Sequence, residues 1–232
     1  MKPGIIAVIV LVIVMAVCLL IRAVRKRHIH SGSVDDGNVH DMCGYFISTI
    51  RYCQSIIDAS LKYLAEDNDI EVCKTYRAGT DALDTVSRQL RSTFAEVERC
   101  DNAFAVYLNY MIEATEKIAE TSRNIATHPD SCLAEFQVCE VRTIREHLVA
   151  MITETIRVAD AGEPLTSVAK NVSDNKDYME GLIAMHGKAM KYDDFNDGAV
   201  GYSYLILLYY LQSFVNSYNI VVKKLTTGNI VV

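Results

Sequence analysis

The chain has 232 residues and a formal net charge of −6, and it contains only 3 prolines and 11 glycines. Its one dense group of basic residues lies near the start, so no basic surface remains to follow a phosphate backbone, and nucleic acid is not an expected partner. So few turn-forming residues favour long helices over short strands joined by tight turns, and the predicted fold class is all-α.

The first element is an apolar segment, residues 4–21, which contains no charged side chain. A helix that crosses a bilayer needs about 20 mostly apolar residues, so this segment predicts a transmembrane anchor within residues 1–27. A cleaved signal peptide is the alternative. Only Lys2 would serve as its basic start, however, and no small-x-small cleavage site precedes the basic group that follows.

The basic residues that follow the apolar segment indicate its orientation. They are Arg22, Arg25, Lys26 and Arg27. The positive-inside rule predicts a single-pass protein of the inner or plasma membrane, with its C-terminal domain in the cytoplasm. The same four side chains are expected at the membrane surface, where they either bind anionic lipid headgroups or only fix the topology.

Six of the seven cysteines lie beyond the anchor, and none forms a Cys-x-x-Cys pair. Scattered single cysteines are typical of small buried side chains in a reducing compartment. An even number of cysteines would also permit three disulfides if the domain lay outside the cell. This alternative requires the opposite orientation of the anchor, with the C-terminal domain outside the cell.

Residues 28–39 are polar and contain glycine, which predicts a linker before a helical domain at 40–226 and a short tail at 227–232. Within the domain, apolar residues recur at spacings of three and four, as on one face of a helix. The pattern predicts six long helices in a bundle, three on each side of the turn at 128–130, and this order suggests two three-helix halves. The predicted helices cover about 41–66, 72–97, the stretch from a turn at 100–101 to 127, 133–161, 165–190 and 199–224.

The last predicted helix has no charged residue between Gly198 and Val222, so it is also a candidate membrane span. Its tyrosines, serines and side-chain amides argue against hydrocarbon, where unpaired polar groups are costly. We therefore interpret it as a core helix that is buried on nearly all sides. In the two preceding helices, the spacing predicts inward positions for Phe136, Cys139 and Met185.

Two groups of acidic residues are candidate metal ligands. Glu113, Glu116 and Glu120 lie at i, i+3 and i+7 on one helix face, and Asp193 and Asp197 lie in a predicted loop. Carboxylate oxygens suit Mg²⁺, Ca²⁺ or iron, so a divalent metal is the one cofactor considered. The alternatives are a solvated helix face for the first group and a helix cap for the second. No phosphate loop, nucleophile elbow or Cys-His signature occurs in the sequence, so no catalytic residue is assigned.

The third and last predicted helices resemble a known family. The matching segments are Tyr107-Leu-Asn-Tyr-Met-Ile-Glu113, its continuation through Glu116-Lys-Ile-Ala to Asn124-Ile and His128-Pro, and Tyr204-Leu-Ile-Leu-Leu-Tyr-Tyr-Leu-Gln212. They are similar to the third and closing helices of PhoU-like domains, particularly those on the cytoplasmic side of PiT-type inorganic phosphate transporters. Six helices in two three-helix halves is also the PhoU architecture.

The resemblance implies an accessory or regulatory role in phosphate transport or sensing. PhoU proteins bind metal clusters through E/D-x-x-x-D motifs, which Asp193 to Asp197 matches, whereas Glu116 to Glu120 has the spacing but ends in glutamate. We therefore expect a membrane-anchored, non-catalytic helical bundle that contacts membrane lipid and binds a partner protein or itself. The alternatives are a tethered scaffold or coiled-coil adaptor unrelated to phosphate, and a metal-dependent enzyme that uses the carboxylates of the third helix.

Overall fold

The computed structural model describes residues 34–66, 70–127, 133–192 and 198–227, and in these ranges the chain is helical with no strand. By its contacts the chain divides into a unit that ends at Asp41 and a unit that begins at Met42. Of the first unit, only residues 34–41 are described. The predicted anchor and several candidate residues lie outside the described ranges, namely Arg22, Arg25, Lys26, Arg27, Asp193 and Asp197.

Six α-helices follow one another along the described chain, as the sequence predicts. They are α1 (Val34–Ala65), α2 (Ile70–Cys100), α3 (Asn102–Thr127), α4 (Glu135–Asp160), α5 (Ala169–Tyr192) and α6 (Gly198–Thr227), with a 3₁₀ turn at Leu165–Ser167 before α5. The all-α class and the number of long helices are confirmed. Helix α1 begins at Val34, within the stretch 28–39 that the sequence assigns to the linker.

Helix α6 supplies much of the apolar core. It packs against α3 and against α5, and the Tyr218 ring of α6 also meets the Phe46 ring of α1. The two helices α3 and α6 run antiparallel, since Lys224 near the end of α6 binds Asp101 at the start of α3 at 2.8 Å. The fully buried apolar residues of α6 are Tyr204, Leu207, Leu208, Leu211, Phe214, Val215, Tyr218, Val221 and Val222.

The prediction that α6 is buried on nearly all sides is wrong. Tyr202, Ile206 and Tyr209 are 61%, 45% and 52% exposed. They follow one another at spacings of four and three, so they form one stripe on the side of α6 opposite the core. Composition could not reveal this stripe, because the exposed positions are as apolar as many of the buried ones.

One helix in the described ranges, Tyr202–Thr227, is long and apolar enough to cross a membrane by length and composition. Of the 18-residue window that meets this criterion, 56% is buried inside the protein. The core helix of a soluble domain passes the same test, so length and hydropathy alone do not make α6 a membrane span.

Phe136, Cys139 and Met185, which the spacing predicts to be inward, are exposed. On α4 the buried face runs instead through Gln137, Val141, Ile144, Leu148 and Ile152. The polar Gln137 occupies the first buried position because its side-chain oxygen accepts a 2.9 Å hydrogen bond from the Ala134 N–H, which the helix leaves unpaired. The buried face is therefore one residue out of register with the predicted one at the start of α4.

Polar side chains join α1 to α4. The contacts are Arg51 with Asp160 at 2.6 Å, Gln54 with Thr153 at 2.7 Å, and Asp58 with Arg145 at 2.7 Å. Residue numbers increase along α1 while the residue numbers of their partners on α4 decrease, so the two helices run antiparallel. Each of these partly exposed contacts is worth at most about 1 kcal/mol, so together they fix the register of the helices more than they stabilise the fold.

Helix α4 ends in a Schellman motif. The Glu163 N–H donates to the Val158 carbonyl and the Gly162 N–H donates to the Ala159 carbonyl, both at 3.0 Å. Gly162 has a φ of 70°, which is strained for a residue with a Cβ atom. This glycine allows the chain to turn from α4 toward α5.

Two glycine-to-alanine changes should alter stability in opposite directions. Gly162→Ala should lower the free energy of unfolding by about 1–2 kcal/mol, because alanine is strained at a positive φ. Gly181→Ala, in the middle of α5 with open space around its Cβ position, should raise it by about 0.5–1 kcal/mol. Urea unfolding followed by circular dichroism measures both. A loss of stability in both variants, or in neither, would contradict this account of the turn.

Candidate functional site

The three predicted carboxylates of α3 lie on its outer side. Glu116 pairs with Arg91 of α2, and Glu120 pairs with Lys117 of its own helix, each at 2.8 Å, while Glu113 is exposed. Across the described ranges, no group of three or more His, Cys, Asp or Glu side chains converges in a metal-binding arrangement. Asp193 and Asp197 lie beyond those ranges, so metal binding stays a prediction.

A carboxylate, an imidazole and a phenol meet where α4, α5 and α6 pack together. Glu140 Oε2 accepts a hydrogen bond from the Tyr204 hydroxyl at 2.7 Å and lies 2.8 Å from His186 Nε2. The His186 ring meets the Tyr204 ring edge-on, with centroids 5.4 Å apart, and Phe136 stacks against the same imidazole at 6.3 Å. We call Glu140, His186 and Tyr204 the Glu140 cluster.

Tyr204 is the most enclosed member of the Glu140 cluster, with 1% of its surface exposed. Burial, and then the hydrogen bond to the neighbouring carboxylate, raise the pKa of Tyr204 well above its usual value near 10. The phenol therefore remains a hydrogen-bond donor at any physiological pH. Because it is held protonated by a carboxylate that also contacts His186, it is suited to joining helices and is not an activated nucleophile.

No pattern in the sequence indicates the Glu140 cluster. Its members are separated by 46 and 64 positions along the chain, and no local spacing connects them. One signal was available. Tyr204 lies in an uncharged helix, so its hydroxyl needed a polar partner from another element if the helix was to be buried.

The described cysteines differ sharply in their surroundings. Cys43, Cys53 and Cys139 are free thiols that form no disulfide. Cys53 is fully buried, and burial raises its pKa to about 12, so its thiol stays protonated and unreactive in the folded protein. Cys139 is exposed.

Exposed apolar side chains gather on two adjacent helices. We call them the α3/α6 face: Val106 and Tyr110 on α3, with Tyr202, Ile206 and Tyr209 on α6. Lys117 of α3 is close enough to Tyr210 of α6 for the two groups to interact electrostatically, so the exposed sides of the helices adjoin. In the described part of the chain, the remaining exposed large hydrophobic residues are Phe136 and Met185. Because α3 and α6 run antiparallel, the two α3 residues lie toward the end of α6 and the three α6 residues toward its start, so the exposed apolar groups occupy different levels of the helix pair. Exposed apolar groups on the outer sides of neighbouring helices are candidates for protein contact.

Comparison of the chain with protein-family models, curated proteins and solved structures finds no match. The geometry of the described residues therefore has to carry the functional argument.

Removing one hydroxyl tests whether the Glu140 cluster joins the helices. Tyr204→Phe should lower the free energy of unfolding by about 1.5–3 kcal/mol, because the carboxylate loses a hydrogen-bond donor in a buried setting. Tyr202→Phe is the matched control on the exposed side of the same helix and should change stability by no more than about 0.5 kcal/mol. Urea unfolding measures both. Equal effects of the two changes would show that the cluster does not hold the helices together.

Proposed function

We propose that the chain is a membrane-anchored, non-catalytic helical protein that acts by binding other protein chains. The α3/α6 face carries this proposal, because it exposes five large apolar side chains on two neighbouring helices. The titratable groups nearby are engaged in contacts within and between helices, as with Glu116 and Arg91, or Glu140 and Tyr204. A scaffold with an apolar outer face and internally paired polar groups is suited to binding.

In this proposal the anchor is residues 4–21, the basic residues Arg22 to Arg27 lie at the cytoplasmic membrane surface, and the six helices form one bundle in the cytoplasm. The supporting observations are the uncharged segment, the basic cluster directly after it and the free thiols of Cys43, Cys53 and Cys139. The two three-helix halves would be packed together, since α3 of the first half packs against α6 of the second.

The more specific form of the proposal is a PhoU-like accessory protein that regulates phosphate transport or sensing. It is supported by the resemblance of residues 107–128 and 204–212 to PhoU-like helices, and by the succession of six long helices. A membrane-tethered scaffold or coiled-coil adaptor unrelated to phosphate is the second candidate. It is favoured by the exposed stripe on α6, whose spacings of four and three are those of a coiled-coil seam.

Labelling of Cys139 tests the proposed topology. A membrane-impermeant maleimide should modify this exposed thiol only after cells are permeabilised, if the domain is cytoplasmic. Cys53 should react only in denaturant, because it is buried and its pKa is raised to about 12. Cys139→Ser is the matched control and should remove the signal assigned to that site. Labelling of Cys139 in intact cells would place the domain outside and refute the cytoplasmic role.

Phosphate supply separates the two candidate functions. If the protein regulates phosphate transport, its abundance or its cross-linking to a phosphate transporter should change at least about twofold between phosphate-limited and phosphate-replete cells. Quantitative mass spectrometry of affinity-purified, cross-linked protein measures this, and nitrogen limitation provides the control. Indifference to phosphate, with the topology confirmed, would leave the scaffold function.

A further inference from the structure

We draw no further inference here: the strongest candidate, the side-chain cluster of Glu140, His186 and Tyr204 where α4, α5 and α6 pack together, belongs to the site already described, and the hydrogen bonds that these side chains make to one another account for their placement.

Discussion

Burial of α6 is the constraint on which the other helices depend. This helix carries no charge between Gly198 and Val222, so most of its surface is unfavourable in water. Each large apolar side chain removed from water contributes about 1.5–3 kcal/mol, and α6 buries a continuous row of them against α3 and α5. The row includes two tyrosines. Tyr204 can be enclosed because Glu140 of α4 accepts a hydrogen bond from its hydroxyl group. A tyrosine buried in an apolar helix needs a hydrogen-bond acceptor, and the Glu140 carboxylate supplies it.

The far end of α6 is fixed by one carboxylate with two tasks. Asp101 caps α3, since its Oδ1 accepts the Phe104 N–H at 2.9 Å, and its Oδ2 binds Lys224 of α6 at 2.8 Å. Only 6% of the Asp101 side chain is exposed. A carboxylate so enclosed is stable only when its charge is compensated, and removing one partner of such a pair typically costs about 3–5 kcal/mol. Asp101 thus holds the start of α3 to the end of α6 with the same side chain that caps α3.

The spacing of apolar residues was sufficient to predict the helices. It was not sufficient to predict which side chains of different helices meet. On α3 the apolar residues Phe104, Leu108 and Met111 recur at spacings of four and three, and all three are fully buried, because one apolar face dominates that helix. At the start of α4 the prediction failed, since a hydrogen bond to Ala134 lets the polar Gln137 take the buried position that Phe136 was expected to fill. The Glu140 cluster depends on how three helices pack together. No local pattern in one sequence indicates that Glu140, His186 and Tyr204 lie close together in the folded protein.

The outer surfaces of the helices differ in their chemistry. The α6 stripe exposes Tyr202, Ile206 and Tyr209, none of which is charged. Helix α2 offers a different chemistry there, with Arg77, Asp81, Arg88 and Glu98 exposed along it. Mixed charges of this kind contribute more to specificity and association rate than to affinity, which suits a contact that must form and break with conditions. The apolar stripe at Tyr202, Ile206 and Tyr209 of α6 and the charged side of α2 are therefore chemically different surfaces of one protein, suited to different kinds of contact.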